Sequence, residues 1–171
     1  DNKSVLGANT TLAVSLAFAK SLGQQSQQPF FNFLSQGNEF LLPMPMMNII
    51  NGGSHADNNV DIQEFMIAPI GASSFSESLR YGCEVFHSLK SILKSKNLNT
   101  NVGDEGGFAP NINNSKEVIE IIIKAVEKTG LKLKKDILLS LDVASTEFYK
   151  ENYYYLKGEK QQFSSDQMIS Y

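Results

Sequence analysis

Met44-Pro45-Met46-Met47-Asn48-Ile49-Ile50 runs into Asn51-Gly52-Gly53-Ser54-His55-Ala56-Asp57, an apolar strand-like stretch that gives way at its end to glycine, imidazole and carboxylate. A second strand-like run, Phe65 to Ile70, follows Gln63-Glu64. Next comes a long amphipathic helix, introduced by Ser74 and Glu77 in capping-box spacing, with Leu79, Cys83, Phe86, Leu89 and Leu93 on one stripe. The loop Val102 to Pro110 is rich in glycine. Beyond it the spacing predicts a helix from about Ser115 to Thr129, with Val118, Ile119, Ile122, Ile123 and Val126 inward and Gly130 as terminator. Ile137 to Leu141, apolar except for Ser140, has the pattern of a strand buried on both faces, and it ends on Asp142. Phe148-Tyr149 and Tyr153-Tyr154-Tyr155, separated by Lys150-Glu151-Asn152, read as a small hairpin. Strands alternating with helices define an α/β architecture, and polar residues gathered just after the strands put a site at their C-terminal ends. Periodicity does not separate a barrel from a doubly wound sheet.

Upstream of this alternation the sequence changes character. Thr10 to Leu22 reads as a helix capped by Asn9 or Thr10 and stopped by Gly23. Its apolar positions go most of the way round, which predicts a second covering layer. Gln24 to Gln28 is a polar linker, Pro29 to Leu34 a short helix, and a domain boundary falls near Leu41.

The 171 residues, 42% hydrophobic and 19% charged, are enough for one ordinary core and too apolar for disorder. Fifteen basic against eighteen acidic residues give a net charge of −3 with no run of like charges, which favours neither nucleic acid nor an anionic membrane as a partner. The lone Cys83 forms no internal disulfide and reads as a small core hydrophobe in a reducing compartment. Asp1 to Leu6 carry no charged start followed by an apolar stretch, and nowhere do eighteen apolar residues run together, so neither signal peptide nor membrane span is expected. With no initiator Met, and with Ser164 to Tyr171 resembling a helix just beginning, the chain reads as a fragment.

Four polar clusters interrupt the apolar runs: the stretch around His55, then Gln63-Glu64, then Gly103-Asp104-Glu105-Gly106-Gly107, and Asp142. Carboxylates brought to one end of a sheet repel unless protons or a cation intervene, and hard oxygen ligands of this kind suit Mg²⁺ rather than zinc. Glu105 between glycines fits a pocket-floor proton donor with a raised pKa, or equally a solvated acidic turn. His55, on a glycine-rich loop mobile enough to close, is available to a phosphate or is a plain surface histidine. Gln63 and Glu64 fit substrate contacts or a polar strand edge. Asp142, ending an apolar strand, needs a metal or partner, or else caps a following helix. The tyrosines 153 to 155 and Met44, Met46 and Met47 are packing groups.

Taken together, Pro43 to Asn59, Asp61 to Ile67, Val102 to Pro110 and Leu141-Asp142 resemble the enolase family, in the family's order and spacing across essentially the whole chain. Asp57-Asn58-Asn59 gives the resemblance a bacterial cast. It implies a fold in two parts: residues 1–41 ending an α+β N-terminal domain, and residues 42–171 beginning a (β/α)8 TIM-like barrel, truncated here. It also implies that the second strand, starting near Gln63, runs antiparallel to the others. The activity implied is Mg²⁺-dependent dehydration of 2-phospho-D-glycerate to phosphoenolpyruvate. Carried over by position, Glu105 resembles the proton donor, protonated when it acts, and Asp142 the first of three carboxylate ligands to Mg²⁺. Gln63 and Glu64 match substrate contacts, and His55 the mobile-loop histidine near the phosphate.

The resemblance further implies a cytoplasmic homodimer or octamer for the full-length protein. The 171 residues alone are expected to be inactive, because the family's lysine base and two further metal ligands match nothing here. Two other readings go with it: another acid dehydratase of the enolase superfamily, or a secreted or surface-displayed plasminogen binder, the latter with no feature of this sequence behind it.

Overall fold

The computed structural model describes residues 5–35 and 39–171, which leaves the first four residues of the stretch read for a leader outside it. The chain falls into two compact units, Asp1–Leu42 and Pro43–Tyr171.

The first unit holds helices α1 (Ala8–Gln25) and α2 (Phe30–Ser35). Helix α1 starts two residues earlier than expected, behind Gly7, and no side chain caps it. Gly23 does not stop it. That residue lies buried inside the helix, where an added Cβ would meet Phe30 and Phe33 of α2 at ordinary contact distance. The helix ends beyond it, where Gln27 turns into the left-handed region at φ 53°. The expected covering layer is not among the described residues of this unit: Leu12, Val14 and Phe18 are all exposed. Helix α2, only six residues long, is too small to cover them.

The second unit opens with two strands, β1 (Met47–Asn51) and β2 (Glu64–Ala68), then two helices, α3 (Phe75–Ser95) and α4 (Ser115–Lys128), and then β3 (Leu138–Asp142). The sheet order is β1-β2-β3, and β2 is antiparallel to both neighbours. Strand β2 therefore breaks the βα alternation, as the resemblance implied. A second small sheet follows, β4 (Tyr149–Lys150), β5 (Tyr153–Leu156) and β6 (Gln161–Phe163), and then α5 (Ser165–Ser170). Glu151 and Asn152, both at positive φ (52° and 68°), form the tight two-residue turn between β4 and β5. Ser164 and Gln167 close a reciprocal capping box on α5.

The core of this unit lies between the sheet and the two long helices. Ile49, Ile50, Phe65 and Ile67 meet Val85, Leu89 and Leu93 of α3 and Val118, Ile121, Ile122, Ala125 and Val126 of α4. Phe108 stacks on Phe86 with ring centroids 4.2 Å apart. Burying each large apolar side chain contributes about 1.5–3 kcal/mol before chain entropy is charged against it.

The two long helices differ in detail from the sequence reading. The buried stripe of α3 is Ser78, Gly82, Val85, Leu89 and Leu93, whereas Leu79 and Cys83 are exposed. Gly82 faces inward because the Met47 side chain fills the space that a Cβ there would need. Only half of its capping box forms. Ser74 accepts from the Glu77 N–H, but the Glu77 carboxylate turns to the N–H and hydroxyl of Ser73, each at 2.7 Å. On α4, Ile121 and Ala125 are buried, while Ile119 and Ile123 are half-buried.

Strand β3 is not buried on both faces. Ile137 just before it is fully buried, but Leu138 and Leu141 are each 41% exposed. The reason is topological: β3 pairs with β2 on one side and with no other described strand on the other.

Candidate active site

The polar clusters converge because β1 holds both loops that carry them. On one side of β1, Phe108 exchanges backbone hydrogen bonds with Ile49 and Asn51, both 2.9 Å, which pins the end of the glycine-rich loop. That loop turns back on itself through Gly106 N–H to Gly103 carbonyl (3.1 Å) and Gly103 N–H to Gly107 carbonyl (2.8 Å), with Gly106 at φ +85°. At the end of β1, residues Gly53–His55 form a short 3-10 turn. The Gly52 N–H donates to the Gln63 carbonyl and the Gly53 N–H to the Val60 carbonyl. A Cβ on Gly52 would collide with the carbonyls of Val60 and Ile62, so these glycines serve close packing here rather than slack. The Asp104 N–H donates to the His55 carbonyl at 3.0 Å and ties the two loops together.

His55, Glu64 and Glu105 therefore meet. His55 Nδ1 lies 3.5 Å from Glu64 Oε1 and 3.5 Å from Glu105 Oε2, yet it is buried and makes no hydrogen bond. Glu64 stands directly across the sheet from Asp142 in register. Gln63 Nε2 approaches Asp142 Oδ2 at 3.5 Å. The other oxygen, Asp142 Oδ1, accepts from the Ala144 N–H at 3.0 Å, just before the 3-10 turn Ser145–Phe148. Asp142 thus finds partners for both oxygens, but it is not the cap of the following turn, whose N-cap is Ala144. All five residues singled out in the sequence lie at this one end of the sheet.

The electrostatics assign the protons differently from expectation. Glu64, the carboxyl only 14% exposed, is pushed above its ordinary value of 4.5. Burial is the main cause, reinforced by its hydrogen bond with Glu105 and by the charges of Glu105 and Asp142. Glu105, 43% exposed, is instead held below its ordinary value, first by the hydrogen bond it accepts from Asn48. The raised pKa expected at Glu105 therefore belongs to its more buried neighbour, Glu64.

Two asparagines escaped the sequence reading. Asn48 Nδ2 donates to Glu105 Oε2 at 2.9 Å. Asn51 is wholly buried, with neither side-chain atom hydrogen-bonded, and packs where Gly103 and Gly107 leave room. The available signal was a polar residue interrupting the otherwise apolar run from Met46 to Ile50.

A three-stranded sheet with an inverted second strand, two helices on one face and acids gathered at one end is the opening of an α/β barrel enzyme domain. The model of the family described as enolase, C-terminal TIM barrel domain, matches residues 39–171, and the chain belongs to that family. It is 53% identical over 171 residues to the enolase of Legionella pneumophila strain Lens, and equally to that of strain Corby. Each alignment covers all of this chain and 40% of the relative, so the chain spans about two-fifths of the length of the curated relatives it matches. The family implies a divalent metal, and the donors present fit one: Asp142 offers an exposed carboxylate directly across the sheet from the Glu64 carboxyl, hard oxygen donors of the kind such an ion takes. No described helix is long and apolar enough to cross a membrane.

Proposed function

We propose that the full-length protein to which this chain belongs dehydrates 2-phospho-D-glycerate to phosphoenolpyruvate and water in glycolysis, with Mg²⁺, as a cytoplasmic homodimer or octamer. The observation that carries this reading is the convergence of His55, Glu64, Glu105 and Asp142 on one end of the sheet. Residues 1–41 are, on the same reading, the end of an N-terminal domain.

The reaction removes a weakly acidic proton α to a carboxylate and expels hydroxide from the next carbon. Bound Mg²⁺ would neutralise the negative charge that develops on the substrate carboxylate, and Asp142 would be one of its ligands. Glu105 hands a proton to the departing hydroxide. Glu64, beside it, is the carboxyl whose anion burial disfavours. Asn48 fixes the orientation of Glu105 and favours its anion. Gln63 and Glu64 contact the substrate around the leaving hydroxyl, and His55 lies toward its phosphate.

The 171 residues alone have one carboxylate ligand and no lysine base for this chemistry, and are inactive. A coupled assay of phosphoenolpyruvate formation tests both statements. Glu105→Gln in the full-length protein is expected to lower kcat by about 10²–10⁴, while the isolated chain gives no product. Full activity of the Glu105→Gln variant, or turnover of an acid sugar in place of 2-phosphoglycerate, would overturn the reading.

A further inference from the structure

We propose that Asp61 is a positioning residue: its carboxylate docks the second small sheet onto the loop between β1 and β2, and that contact fixes where His55 and Glu64 stand. Asp61 is half-buried between Val60 and Ile62, both of which belong to the core. Its two oxygens each accept a backbone N–H from the turn between β5 and β6, Oδ1 from Gly158 at 3.0 Å and Oδ2 from Glu159 at 3.2 Å. Two successive N–H groups aimed at one carboxylate form a small anion nest, and hydrogen bonds to a charged acceptor are stronger than neutral ones. Residue 158 has to be glycine, because a Cβ there would be driven into the Asn59 carbonyl. The turn is itself held from behind. The Glu159 carboxylate accepts from the Ser115 N–H and hydroxyl, both at 2.8 Å, where α4 begins, and from the Tyr171 hydroxyl at 2.7 Å.

The stem that Asp61 belongs to has other ties, all toward β1 and the segment after the glycine-rich loop. Asn58 Nδ2 donates to the carbonyls of Asn51 and Pro110, at 2.9 and 3.1 Å. The Asn59 N–H donates to Asn111 Oδ1 at 3.1 Å, and the Ile112 N–H to Asn59 Oδ1 at 2.8 Å. Among the described residues, the hydrogen bonds of Asp61 are the ones that join this stem to the second sheet. From the stem the constraint reaches the site over short stretches of backbone. The Gly53 N–H donates to the Val60 carbonyl at 2.7 Å, and Gly53 opens the turn that ends at His55. On the other side, Glu64 follows Asp61 by three residues, and the Gly52 N–H closes the frame on the Gln63 carbonyl at 2.9 Å. Misplacing a reacting group by about 1 Å can cost about a hundredfold in rate, so a carboxylate that touches no substrate can still govern turnover.

The placement of the loop follows from geometry alone, and only its effect on turnover rests on the dehydratase reading. The test compares the full-length protein with its Asp61→Ala, Asp61→Asn and Tyr171→Phe variants by amide hydrogen exchange, by the His55 imidazole resonance and by steady-state kinetics. In Asp61→Ala the amides of residues 52–55 should exchange at least about tenfold faster and the His55 resonance should move, while α3 keeps its protection. Its kcat with 2-phosphoglycerate should fall about tenfold to a hundredfold. Asp61→Asn keeps the shape and one acceptor but turns its NH₂ toward the second N–H, so it should fall between Asp61→Ala and the parent. Tyr171→Phe removes only the outermost link and should leave the loop and kcat unchanged. Parent-like exchange and His55 resonance in Asp61→Ala, equal disturbance in Tyr171→Phe, or loss of α3 protection in step with the loop would overturn the proposal. Should Asp61→Ala fail to fold, parent-like loop readouts in Asp61→Asn would overturn it by themselves. A parent protein that forms no phosphoenolpyruvate would sink the dehydratase reading and leave the exchange and resonance measurements to judge this one.

Discussion

Helices α1 and α4 have comparable apolar content and opposite fates. In α4, Ile121 and Ile122 are each 1% exposed; in α1, Leu12 and Phe18 are 57% and 67% exposed. Each helix belongs to a different unit, and only the second unit supplies a sheet and another long helix as cover. An apolar helix face contributes to stability only when something covers it, so burial is a property of the neighbours as much as of the sequence. Strand β3 repeats the lesson within one unit: it pairs with β2 on one side and with no other described strand on the other, and Leu138 and Leu141 stay exposed.

The comparison can be broken most sharply by truncation. Ile122→Ala should lower unfolding free energy by about 2–5 kcal/mol in urea titrations, while Phe18→Ala on α1 should stay within about 0.5 kcal/mol. Equal losses at the two sites would show that α1 is covered in solution. Next in size, Gly52→Ala forces a methyl against the carbonyls of Val60 and Ile62 and should cost about 1–3 kcal/mol. Its His55 resonance should shift as well, because the same loop carries the imidazole. Removing the cap of the covered helix, Asn114→Ala, takes the acceptor from the Glu117 N–H and should cost about 1 kcal/mol. No change in midpoint would mean that packing alone sets the start of α4.

The smallest effect depends on pH. Glu64 has a raised pKa in the fold, so its favourable contribution is complete below its ordinary 4.5 and is lost as pH rises through the raised value. Glu64→Gln stays in the favoured neutral form throughout. It should therefore match the parent chain near pH 4 and be more stable than it at pH 7. A stability difference that does not change with pH would show that the fold does not disfavour the Glu64 anion.

Much of the site was legible because polar residues interrupting apolar runs are visible in any sequence. His55, Glu64, Glu105 and Asp142 could be read this way, and so could Gly130, which ends α4 at φ +83°. The inverted β2 came from the family likeness, since an apolar run carries no mark of its direction. Gly23 and Cys83 were misread because a glycine can stop a helix or pack inside one, and a cysteine is at home in a core or at a surface. Only the neighbours, Phe30 and Phe33 for Gly23, decide.

By itself the sequence determined which residues carry acid, imidazole and amide, and roughly where strands and helices lie, because side-chain chemistry and hydrophobic period are local properties. The tertiary structure alone decided which carboxyl has its pKa raised, which helix faces find cover, and that Asn48 belongs to the site. Those outcomes depend on desolvation and on contacts between residues as far apart in the chain as Asn48 and Glu105, whose meeting is fixed by the packing of β1 against the glycine loop.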